Sequence, residues 1–133
     1  MHKPLEDKPE NFSIKKRIKS FEYAFHGIRS FFVSTPNAWI HLFAAISVII
    51  ASFYFRISTI EWIAVIYAIG LVFTAEAFNT AVEEWVDSIQ PEFDKKAGRV
   101  KDISAGAVLI ASIAAAVIGV IIFGTRIYDL IMQ

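Results

Sequence analysis

The residue types able to do chemistry concentrate in one segment. Glu76, Asn79, Glu83 and Asp87 follow one another at steps of three, four and four. On an α-helix they fall within an arc of about 80°, so all four share one face. Glu76 and Glu83 then stand about 10 Å apart along the axis. The positions between them, among them Ala77, Val82 and Trp85, continue an apolar run. Carboxylates at membrane depth cost about 2.5–3.5 kcal/mol each on insertion scales. Such a stripe demands a cation, a metal or a polar cavity, and its residue types suit a general base and a hard-cation ligand. A solvated helix end accounts equally well for Glu84 and Asp87, but poorly for the deeper Glu76.

The segment after the stripe is short and polar, from Gln90 to Asp102. Lys95, Lys96, Arg99 and Lys101 can hold phosphates, although Lys95 and Lys96 read more simply as an ordinary basic inner loop. Lys101 and Asp102 precede the next apolar run, where a helix N-terminus favours anionic oxygen. Asp102 also fits as that helix's N-cap. P-loop, dinucleotide-fingerprint and zincin motifs are absent. The three histidines, His2, His26 and His41, have no Gly-x-Ser-x-Gly elbow beside them. With no cysteine, disulfide scaffolds, zinc ribbons and thiol nucleophiles are excluded.

The elements that position the stripe follow from where charge is missing. Of 133 residues, 56% are hydrophobic, and 13 Lys+Arg cancel 13 Asp+Glu. That balance argues against a nucleic-acid binder and against a disordered chain. Ala38 to Phe55, Trp62 to Ala75 and Ile103 to Thr125 carry no Asp, Glu, Lys or Arg. A spanning helix needs about 20 mainly apolar residues. The expected spans are about 37–55, 59–87 and 103–128, the second including the acidic stripe.

Eleven of the 13 basic residues lie before the first span or between the second and third. The positive-inside rule then places the N-terminus and the second loop in the cytoplasm. Residues 1–12 read as a flexible tail. In residues 13–33, Ile14, Ile18, Phe21, Phe25, Ile28 and Phe32 recur at helical spacing, with Ser13 as a candidate N-cap. This is a basic amphipathic helix suited to the membrane interface. Ala107, Ala111, Ala115 and Gly119 form a ladder of small residues in the third span. It suits close helix packing, within the chain or between copies.

Taken together, Glu76-x-x-Asn79-Thr-Ala-x-Glu83-x-x-x-Asp87 and the stretch Lys101-Asp102-Ile-Ser-Ala-Gly-Ala-Val-Leu resemble the signature of the prokaryotic diacylglycerol kinase family, which includes undecaprenol kinases. The resemblance covers roughly residues 13–130. It implies an all-α, homotrimeric protein of the bacterial inner membrane. It also implies transfer of the γ-phosphoryl of ATP to a lipid hydroxyl with Mg²⁺. By position, Glu76 matches the base, Glu83 a metal-binding glutamate, and Asn79 and Asp87 polar residues of the active site. Lys101 and Asp102 match the nucleotide-binding pair, and Glu92, Phe93 and Asp94 a loop near the nucleotide. Lys16 and Tyr23 match positions near nucleotide and headgroup. Thr35 stands where many members have a metal-binding glutamate, and its hydroxyl is a poorer ligand for Mg²⁺. Asn37, Ile40 and His41 fit the undecaprenol-kinase-like pattern.

The expected function is therefore phosphorylation of undecaprenol or diacylglycerol at the cytoplasmic side of the membrane. Two alternatives stand beside it: a kinase-like scaffold weakened at Thr35, and a small oligomeric channel or transporter.

Overall fold

The computed structural model describes residues 13–132. The expected tail, residues 1–12, lies outside the described residues. Four helices follow in order: α1 (Ile14–Ser34), α2 (Pro36–Tyr54), α3 (Thr59–Ile89) and α4 (Lys95–Ile131). The described residues contain no strand. The chain forms two compact units, Met1–Ser30 and Phe31–Gln133.

In the first unit, α1 presents its apolar stripe to the outside. Ile14, Ile18, Phe21, Phe25 and Ile28 are all exposed, and the helix has no buried residue. The Ser13 carbonyl accepts from the Arg17 amide at 3.2 Å, which closes the first turn. Lys19 stands over the Tyr23 ring, 5.8 Å from its centroid.

The second unit begins with the last turn of α1. Thr35 is extended (φ −115, ψ 100), and Pro36 opens α2. The residue before a proline is pushed out of the helical region, so the chain breaks here rather than running on. The Trp39 indole donates to the Phe32 carbonyl at 2.9 Å. Phe32 also packs against Trp39 and Phe73, with centroids 6.0 and 5.9 Å away.

The turn from α2 to α3 is a Schellman-type ending. The Ile57 amide donates to the Ser52 carbonyl and the Arg56 amide to that of Phe53, each at 3.2 Å. Arg56 takes the left-handed conformation (φ 50) that glycine normally supplies there. Ser58 and Glu61 then form a reciprocal capping box at the start of α3. Ile57 joins Val65, Ile122 and Phe123 in the buried core at this end of the bundle, with Val48, Phe55 and Trp62 packed around it.

The third apolar run sits in a longer helix than its composition implies. The expected start was residue 103, with Asp102 as a possible cap. Instead α4 starts at Lys95, and Asp94 is its N-cap, accepting from the amides of Lys96 and Ala97, both at 2.8 Å. Lys and Arg are good helix formers, so the basic stretch is helical although it is too polar for lipid. At 37 residues, α4 runs about 55 Å, well beyond the roughly 30 Å of a hydrocarbon core.

Three helices, α2, α3 and α4, are long and apolar enough to cross a membrane. Large apolar side chains such as Phe43, Ile60 and Val120 point outward along them. The small-residue ladder is only partly used within the chain. Ala111 is buried, while a side chain at Gly119 would meet nothing within 4 Å.

Candidate active site

Thr35 and Asn37, at the junction of α1 and α2, face the acidic stripe of α3 across a cavity of about 260 Å³. Glu76, Asn79, Glu83 and Asp87 all line it, together with Thr80 and Glu84. The helical spacing of the stripe thus brings the four side chains to one space. Their exposure is graded along it. Glu76 is 1% exposed and Asn79 8%, Glu83 is half-buried, and Glu84 and Asp87 reach solvent.

The polar partners are specific. The Asn79 amide donates to Glu83 Oε1 at 3.1 Å. Its carbonyl oxygen accepts from the Ser104 hydroxyl, on α4, at 2.7 Å. Lys101 donates to both Asp87 carboxylate oxygens, at 2.9 and 3.0 Å. Glu76 differs: its Oε1 is buried with no hydrogen-bond partner. An unpartnered buried carboxylate oxygen is costly, and natural chains rarely keep one without a use for it.

Thr35 is 8% exposed, and its hydroxyl lies 3.0 Å from that of Thr80. It therefore ties α2 to α3 as well as facing the cavity. Asp94, expected near a nucleotide, uses its carboxylate to cap α4. Glu92 and Phe93 are exposed in the α3–α4 connection, and Asp102 is exposed on α4. None of these three lines the cavity. Lys16 and Tyr23 are exposed on α1, in the first unit.

Among the described residues no three His, Cys, Asp or Glu side chains converge as a metal cage. That donor set still fits Mg²⁺, which keeps several waters and takes one or two carboxylates plus substrate phosphates. The Glu83 carboxylate, half-buried on the cavity, is an oxygen ligand of that kind.

A second cavity, about 290 Å³, lies among α2, α3 and α4 and is almost wholly apolar. Ala45, Val48, Val65, Ala68 and Val72 line it, with His41 as its one ionisable group. Val72 and Phe73, which line it, stand about one helical turn before Glu76 on α3.

Two long-range links gave no sequence signal of their own. Nothing but its step of three from Lys101 marks Ser104 in the sequence, and its partner Asn79 is 25 residues away. The Glu61–Arg126 ion pair spans 65 residues. A search for isolated opposite charges at the ends of neighbouring apolar runs would have suggested that pair.

Residues 22–123 match the sequence profile of the family described as prokaryotic diacylglycerol kinase. A Bacillus subtilis (strain 168) protein named undecaprenol kinase is 34% identical over 119 residues, covering 90% of this chain and 97% of that relative. With three apolar helices and an acidic stripe that opens on one cavity, the chain belongs to the prokaryotic diacylglycerol kinase family and is a lipid kinase of bacterial membranes.

Proposed function

We propose that the protein transfers the γ-phosphoryl group of ATP to the hydroxyl of a membrane lipid, at the cytoplasmic face of the inner membrane. The lipid in this reading is a polyprenol such as undecaprenol, because the relative over almost its whole length carries that name. One observation carries the chemistry. The Glu76 carboxylate, 1% exposed and with an unpartnered oxygen, stands at the buried end of a cavity whose other end reaches water.

Glu76 accepts the proton of the lipid hydroxyl as that oxygen attacks the γ-phosphorus. Asn79 stands one turn further on, where its amide orients the reacting groups. Glu83 is the residue that would hold Mg²⁺, with Thr35 across the cavity from it, and the ion neutralises phosphate charge when bound. Lys101 and Asp102 approach the nucleotide from α4, as do Glu92 to Asp94 from the connection before it. By the family resemblance, Lys16 and Tyr23 are the α1 residues assigned to nucleotide and headgroup. Phosphoryl transfer needs mainly positioning and charge neutralisation, which such a set supplies.

The lipid tail would lie in the apolar cavity among α2, α3 and α4, whose α3 lining ends one turn before Glu76. The exposed stripe of α1 suits the membrane interface. A homotrimer fits the outward-facing apolar surfaces.

The test is transfer of labelled γ-phosphate from ATP by the purified protein in lipid, with undecaprenol and diacylglycerol offered separately. Mg²⁺-dependent labelling of the polyprenol, lost in Glu76→Gln, is the expected result. Labelling of diacylglycerol alone overturns the choice of lipid. Wild-type turnover by Glu76→Gln overturns the base.

A further inference from the structure

The hydrogen bonds around Asn79 have only one consistent direction. A carboxylate accepts and does not donate, so the Asn79 NH₂ must be the group that faces Glu83 Oε1, 3.1 Å away. The Asn79 carbonyl oxygen is thereby turned to α4, where Ser104 Oγ lies 2.7 Å from it. Two oxygens at that distance attract only if a proton lies between them, and the serine hydroxyl supplies it. Were the amide reversed, its carbonyl oxygen would confront the Glu83 carboxylate with no proton to share.

We infer that Ser104 is a positioning residue for the phosphotransfer reaction, holding the Asn79 amide in the orientation that keeps its NH₂ on Glu83. This rests on the function proposed above for its catalytic consequence, but the bond itself does not. The single hydroxyl proton of Ser104 is shared with the Lys101 carbonyl, 2.8 Å away, as a three-centre bond. Its hydroxyl is thus held on α4 and cannot swing far when Asn79 engages a substrate. Asn79 is 8% exposed, so a lost partner for its carbonyl oxygen is not made up fully by solvent.

The experiment has a spectroscopic arm and a kinetic arm, both on the full chain in lipid nanodiscs. The side-chain ¹⁵NH₂ signal of Asn79 is assigned by its disappearance in Asn79→Asp. In wild type and in Ser104→Thr, which keeps the hydroxyl, that signal is expected at one common position. In Ser104→Ala it moves and broadens as the amide reorients. In parallel, kcat for lipid phosphorylation falls about tenfold in Ser104→Ala, the loss of one oriented hydrogen bond. The KM for lipid is unchanged, and Ser104→Thr restores the rate.

An unmoved Asn79 signal in Ser104→Ala overturns the inference, whatever the rate does. So does a Ser104→Thr protein as defective as Ser104→Ala in both arms. A wild-type protein that labels neither lipid overturns the function reading instead, and with it the catalytic consequence, before any variant is compared.

Discussion

The Glu61 carboxylate, in the first turn of α3, is paired with Arg126, near the end of α4. Its Oε2 accepts from Arg126 Nη2 at 3.0 Å, and its Oε1 lies 2.9 Å from Nη1 as an ion pair. One of them also accepts from the Ser58 amide at 2.7 Å, completing the capping box. Arg126 in turn donates to the Ile122 carbonyl. A paired fork of this kind is stronger and more directional than a single surface contact. It fixes the start of α3 against the end of α4, beside the Ile57–Val65–Ile122–Phe123 core.

Breaking that pair is expected to loosen the bundle without touching the chemistry. Arg126→Ala and Glu61→Gln should each lower the thermal midpoint by several degrees. Glu61→Gln retains part of the cap, so its loss should be the smaller. The double variant should be little worse than Arg126→Ala alone, because the two residues act through one interaction. Differential scanning fluorimetry in detergent measures this, and lipid phosphorylation well below the midpoint should be near wild type.

Glu76→Gln should separate activity from stability in the opposite sense. The rate should fall by at least about 10²-fold, the scale of a lost general base. The midpoint should be equal to or higher than wild type, because a buried unpartnered carboxylate oxygen is replaced by a neutral amide. A variant that is both inactive and markedly less stable would mean that Glu76 holds the fold rather than the reaction.

Arg56 offers a purely conformational prediction. Its φ of 50 is left-handed, and a non-glycine residue pays for this sterically. Glycine removes that cost and adds back some unfolded-state freedom. Arg56→Gly should therefore raise stability by roughly 0.5–1 kcal/mol, with activity unchanged. Reversible unfolding in mixed detergent would check it.

Thr35→Glu tests the cation side of the cavity. The substitution breaks the 3.0 Å contact with Thr80 and adds a carboxylate near Glu76 and Glu83. Without divalent cation the variant should melt below wild type, through like-charge repulsion. Added Mg²⁺ should then raise its midpoint more than it raises that of wild type. An equal Mg²⁺ response in the two proteins would remove Thr35 from the cation site.

Some features of this protein are local, and the sequence by itself determined them. The three apolar helices follow from runs without charge. The shared face of Glu76, Asn79, Glu83 and Asp87 follows from helical periodicity, which any stretch of regular α-helix obeys. α4 begins eight residues before its apolar run, because a helix can start in water, where a rule for helices in lipid does not apply. The remaining features depend on how α2 and α4 dock against α3, and only the tertiary structure decided them. Thr35 and Asn37 reach the cavity because Pro36 turns the chain towards α3. Ser104 meets Asn79, and Lys101 meets Asp87, because the α3–α4 hairpin closes in one register. No spacing along the chain encodes that register. It is set by the summed packing of side chains far apart in sequence, from Ile57 to Phe123.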